Sequence, residues 1–199
     1  MPLTLIKEDG TGKVDANTYA DVADGDAYHD GHLYATAWTA ASAGNKEKAL
    51  VFASRLIDAE YQFNGYRAHN NQALQWPREQ CPDPDKGLTT ISVLLPFLGD
   101  FVDANVVPKG VVDATCEMAR ELLIADRTAA PVGEGLASVH TGHTDAAAAG
   151  ATGTSDNTTT VYNKSDTRSV ISHVAQAMLS KFGALVDGGR GGAVRLMRV

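Results

Sequence analysis

The chain has 199 residues, 44% of them hydrophobic and 21% charged, enough to bury an ordinary core and unlike a disordered or fibrous composition. Its formal net charge is −7, so as a whole it repels the phosphate backbone that nucleic-acid binders neutralise with lysine and arginine.

In chain order, residues 3–8 read as a short strand closed by Asp9-Gly10-Thr11-Gly12, whose glycines supply the positive φ of a tight turn. Asp21 then caps a first helix over 22–31, with Asp24 three residues on in a capping-box position. Asn45 can cap a second helix, in which Ala49, Leu50, Ala53, Leu56, Ile57, Glu60 and Tyr61 recur at helical spacing while Lys46, Glu47, Lys48 and Arg55 stay mostly outside. From Asn64 to Asp85 the periodicity vanishes among Gly65, Pro77, Pro82 and Pro84, which predicts a folded loop anchored by Trp76. Residues 88–107 are apolar but broken by Pro96 and Gly99, so short segments are expected there.

Pro108 suits the first position of a third helix over 109–127, with Val111, Val112, Thr115, Met118, Ala119, Leu122 and Leu123 on one face. Residues 131–160 are rich in Gly, Ala, Thr and Ser, a composition that buries little and predicts a surface loop, a β-hairpin or disorder, with Thr158–Tyr162 strand-like. A last helix over 168–185 places Val170, Ile171, Val174, Ala177, Met178 and Phe182 along one side, before four glycines release a basic tail. The expected fold is mainly α: a small bundle of about four helices with a short N-terminal strand, a hairpin or loop insertion and an extended C-terminal tail. Residues 1–130 form a helical core, 131–165 the insertion, and 166–199 a helix and tail packed with the core as one domain.

Charge is unevenly placed. Residues 1–30 carry two lysines against seven acids, among them Asp15, Asp21, Asp24, Asp26 and Asp30, whereas the last ten residues hold Arg190, Arg195 and Arg198 and no acid. Two surfaces with different partners explain this, as does a solvated acidic face beside a loose basic tail. Arg190, Val194, Arg195, Leu196 and Arg198 could dock on a partner as an added strand, or form an ordinary frayed terminus. Trp76, Pro77 and Arg78 are candidates for a contact between subunits, because Trp and Arg are enriched at interface hot spots; the alternative is that Trp76 plugs its own core.

No motif points to an enzyme. His140 and His143, with Asp145 behind, have His-x-x-His spacing but no evident fourth ligand. Asp9-Gly-Thr-Gly-Lys13 lacks the spacing of a phosphate loop, and no Gly-x-Ser-x-Gly elbow occurs. Cys81 and Cys116 stand far apart, which indicates neither a disulfide framework nor a zinc ribbon and fits a reducing compartment. The apolar run at the N-terminus is too short for a signal peptide and no stretch approaches about 18 apolar residues, so the chain is expected neither to be secreted by that route nor to span a membrane. No cofactor or metal is expected.

Three stretches carry a resemblance. Glu8-Asp9-Gly10-Thr11-Gly12 with Ala16-Asn17-Thr18-Tyr19 and Ala27-Tyr28, then Gln72-Ala73-Leu74-Gln75-Trp76-Pro77-Arg78, then Val107-Pro108 before Ala114-Thr115-Cys116-Glu117, resemble a phage family labelled DnaT-like single-stranded-DNA-binding protein. Its members look like head-to-tail connector adaptors. The middle stretch is the most specific, and the spacer from Cys81 to Val106 and the segment 131–160 depart from the family pattern. The resemblance implies a mostly helical, non-enzymatic adaptor in the virion neck, assembled in the host cytoplasm. Its partners would be copies of itself in a ring expected at twelve, the portal protein and a tail or neck completion protein. Double-stranded DNA would pass through the lumen without specific binding, repelled by acids such as Asp15, Asp21, Asp24, Asp26 and Asp30. The alternative is single-stranded-DNA binding, which calls for a basic groove interleaved with aromatics.

Overall fold

A computed structural model describes residues 3–83, 85, 101–129, 138–144, 155–161 and 169–186. The chain divides into two compact units, one from Met1–Asp126 with Ile171–Val199 and one from Arg127–Val170. The expected segments within 88–100, the arginine tail and Asp145 lie outside the described residues.

Residues 3–8 make no strand. They contribute one bridge, Lys7 to Thr18, because the chain turns away immediately. The turn itself is as expected: Gly10 and Gly12 have φ of 101° and 72°. A Cβ at Gly10 would stand 1.9 Å from the Asn105 carbonyl oxygen, so the position needs glycine for space as well as for φ.

Helix α1 (Val22–Asp30) opens on a complete capping box, Asp24 N donating to Asp21 Oδ1 at 2.9 Å and Asp21 N to Asp24 Oδ2 at 2.8 Å. A one-turn helix, α2 (Thr36–Thr39), buries Trp38, whose Nε1 donates to Asp26 at 2.8 Å. Helix α3 (Ala43–Glu60) starts before the expected cap: the Ser42 hydroxyl takes that role and Asn45 falls inside the first turn. Strand β1 (Tyr61–Phe63) follows directly, then the pair β2 (Tyr66–Arg67) and β3 (Arg78–Glu79), antiparallel with Tyr66 opposite Glu79.

Helix α4 (Lys109–Ile124) starts where expected and ends three residues short of 127; Pro108 stands at its N-cap position, where a missing N–H is harmless. Its buried face, Val111, Ala114, Thr115, Met118 and Ala119, packs on α3. In the second unit, β4 (Ser138–Thr144) and β5 (Ser155–Val161) pair antiparallel from Ser138 opposite Val161 to Thr144 opposite Ser155. Arg127 joins the two ends of that unit, donating to the Val170 and Ser169 carbonyls at 2.7 and 2.9 Å.

The last helix, α5 (His173–Leu179), is much shorter than 168–185. Ser172 caps it, and the chain then becomes β6 (Gly183–Leu185), which pairs with β1 through Tyr61–Leu185 and Phe63–Gly183. The long-range pairing ends the helix where local pattern alone would extend it. Its buried residues are Ala175 and Leu179, with Ile171 and Phe182 on either side, whereas Val174 is 51% exposed. The fold is therefore helix-rich with short two-stranded pairs, and α4 lies between α3 and α5.

Candidate interaction surface

The Gln72–Arg78 stretch is held entirely by its own chain. Trp76 is fully buried, edge-on to Phe63 and Phe182 at ring centroid distances of 5.7 and 5.8 Å, and the Trp76–Pro77 peptide is cis. Gln72 donates to the Leu74 and Pro77 carbonyls and accepts from His69 N. The Arg78 guanidinium, also buried, donates to the carbonyls of Asn64, Gln75, Phe63 and Gly65 and to the Gln75 side chain. Trp76, Pro77 and Arg78 are buried within their own chain, as the intrachain-anchor alternative expects.

The N-terminal acids are mostly answered locally. Asp21 and Asp24 approach Lys7 at 3.6 and 2.5 Å, and Asp26 accepts from the Trp38 indole at 2.8 Å and from Lys46 at 2.7 Å. The lysine and the indole hold the Asp26 carboxyl below the usual carboxylate range. Only Asp15 and Asp30 of the five predicted channel-facing acids are exposed with no partner among the described residues. Glu8 is buried and its carboxylate accepts from Gly10 N and Gly12 N, both at 2.9 Å, and from Lys13 N at 2.8 Å. The Glu8–Lys13 loop thus cradles an anion, as phosphate loops do, but the anion is its own side chain.

Tyr19 lies beneath this region and donates its hydroxyl to Asp58, while Gln75 N donates to both of them at 3.0 Å. Burial pushes the Asp58 carboxyl from 3.8 up to about 6. The folded state therefore holds a proton that the unfolded chain releases, so this group's stabilising contribution is full below about pH 4 and is lost as pH rises through about 6. Relative to Asp58→Asn, the wild type is expected to lose about 1–3 kcal/mol between pH 4 and 7. Urea denaturation of both proteins across that range measures it; a pH-independent difference overturns the assignment.

Between α1, α2 and α4 sits a second polar group. Glu117, buried, receives Arg120 through two bonds of 2.6 and 3.2 Å, with His32 Nε2 at 3.8 Å. His29 places Nε2 3.2 Å from the Cys116 carbonyl oxygen, and desolvation pushes its imidazole below the usual histidine range. These contacts fix the loop after α1: His32 N donates to the His29 carbonyl at 3.0 Å and Tyr34 N to His32 Nδ1 at 3.0 Å. The tightly held loop leaves Leu33 and Tyr34 85% and 74% exposed.

A different side of the same unit carries a shallow hollow of about 240 Å³, lined by Asn45, Lys48, Ala49, Phe52, Leu122 and Leu123. Lys48, Phe52 and Arg55 follow one another at helical spacing on α3, Phe52 is 38% exposed, and neither cation has a partner among the described residues. Every other lysine and arginine described is near an acid or bonded to a carbonyl or carboxylate. His140 and His143 lie on β4 opposite Thr159 and Asp156. Among the described residues no group of three or more His, Cys, Asp or Glu could hold a metal, and no helix is long and apolar enough to cross a membrane.

Fold and surface define a small helix-rich protein whose side-chain chemistry is directed to holding its own loops. Among the described residues its accessible features include the Leu33–Tyr34 knob and the hollow beside Phe52 and Lys48. The chain belongs to the family whose model is described as "Putative DnaT-like ssDNA binding protein", which matches residues 3–199. No curated protein and no solved structure matches it.

Proposed function

We propose that this chain is a non-enzymatic structural protein of a tailed phage: a head-to-tail connector that assembles as a ring below the portal, links capsid to tail and lets DNA pass. The observation that carries this reading is the firmly held loop that leaves Leu33 and Tyr34 in solvent. Large apolar side chains on an ordered loop favour protein contact, since burying each one removes apolar surface from water. The resemblance of the Gln72–Arg78 stretch to connector adaptors supplies the place in the neck, with portal and tail completion proteins as partners. A net charge of −7 suits a lumen along which DNA must slide. Reconstruction of the phage particle by electron microscopy tests this; density for the chain between portal and tail is expected, and a position in the capsid shell or tail tube overturns it.

A second reading, single-stranded-DNA binding, is favoured by the family's description and by the Lys48–Phe52–Arg55 stripe, which offers two cations flanking a ring on which a base can stack. Two phosphate contacts imply weak binding that falls roughly five- to tenfold between about 50 and 200 mM salt. Fluorescence anisotropy with labelled oligothymidylate measures it. The connector reading expects no binding at either salt, whereas weak, salt-sensitive binding lost in Lys48→Glu/Arg55→Glu supports the second reading.

A further inference from the structure

We propose that the Leu33–Tyr34 knob of one copy seats in the Phe52–Leu122–Leu123 hollow of the next, with Asp30 of the first copy facing Lys48 and Arg55 of the second. This rests on the connector reading only for its setting; the two surfaces are properties of the chain itself.

Position supports a head-to-tail contact. His32, whose ring lies 6.4 Å from that of Tyr34, stands against Glu117 on one side of α4. Leu122 and Leu123 lie roughly 120–140° around the same helix from Glu117. Knob and hollow therefore occupy different faces, and joining them repeats one unlike contact from copy to copy. Such heterologous contacts close into rings when the rotation allows, whereas a two-fold contact stops at a dimer.

Charge supports the same pairing. Asp30 is exposed, without a partner among the described residues, and ends α1, where the helix dipole adds negative potential. Lys48 and Arg55 are exposed and equally unpartnered among the described residues. Glu47, the acid nearest in sequence to the hollow's edge on α3, is about 140° around that helix from Phe52. The knob is also already ordered by the Tyr34-to-His32 and His32-to-His29 bonds, so docking it forfeits little further freedom.

The test mixes full-length Leu33→Cys with full-length Phe52→Cys under mild oxidation; the native Cys81 and Cys116 are buried. A disulfide joining the two different variants, absent when either is oxidised alone, is the expected result. Asp30→Lys should weaken self-association in analytical ultracentrifugation at least tenfold, and Lys48→Glu/Arg55→Glu on the same chain should restore it, which a mere folding defect would not allow. Absence of the mixed disulfide overturns the inference, and so does a disulfide formed by Leu33→Cys with itself. If oligothymidylate blocks cross-linking and Lys48→Glu/Arg55→Glu lowers its affinity without affecting association, the hollow is a nucleic-acid surface and the inference falls. The connector reading is decided separately by the particle reconstruction: self-association without the mixed disulfide leaves it standing, and the disulfide in a chain located elsewhere in the particle refutes that reading alone.

Discussion

Arg78→Ala is expected to lower the unfolding free energy by about 3–5 kcal/mol, shifting the urea midpoint with little change in slope. The guanidinium is buried and donates to four backbone carbonyls and one side-chain oxygen across Phe63–Gly65 and Gln75. Removing it leaves several of those acceptors without a donor inside a loop that has no helix or long strand to hold it. Arg78→Lys keeps the charge but reaches fewer acceptors, because an ammonium is a point donor and the site matches a planar fork. It is expected to recover part of the loss, and Arg78→Met none. Set against the usual total of about 5–15 kcal/mol for a domain, the alanine variant forfeits at least about a fifth of the stability. A loss below about 1 kcal/mol for Arg78→Ala would show that Trp76 and Gln72 hold the loop without the guanidinium.

What the sequence makes legible here follows the range of each interaction. Asp21 and Asp24 announce α1 because a capping box is complete within three residues, and α4 is readable because its apolar positions repeat at 3.6 residues against two neighbours. Ser42 and Asn45 are equally good caps, and Ala43-Gly44 between them carries no apolar signal, so local chemistry does not choose; packing does. The end of α5 depends on β1, more than a hundred residues earlier, and no local pattern contains that partner. Trp76 is readable as an anchor from its loop context, whereas its neighbour Arg78 looks like surface until its acceptors are seen. The knob and the hollow are hidden in the sequence for the same reason: Leu33 and Tyr34 are apolar residues whose exposure only the tertiary fold reveals. The Lys48, Phe52, Arg55 spacing, however, is visible in the sequence and marks an aromatic on an otherwise polar face.

Glu8→Ala is expected to destabilise the protein by about 2–4 kcal/mol, a large effect for a residue outside any helix or strand. Three amides, those of Gly10, Gly12 and Lys13, converge on the carboxylate, and two of them belong to residues whose positive φ turns the N–H groups inward. Without an acceptor they face each other's partial positive charge. Water satisfies some of them, since Gly12 and Lys13 are only half-buried, which keeps the loss below that of a fully sealed site. Glu8→Gln preserves length but presents an NH₂ group where an oxygen is needed, so it is expected to fall nearer to alanine than to wild type. The decisive comparison uses added formate: an anion cradle that has lost its own anion should be refilled, raising the melting temperature of Glu8→Ala but not of wild type at equal ionic strength. Equal responses of the two proteins would mean that Glu8 acts by packing and that the converging amides do not form an anion site. A selective rescue would instead show that the glycines at positions 10 and 12 are there to aim backbone N–H groups. The likeness of this loop to a phosphate cradle would then be physical, with the ligand built into the chain.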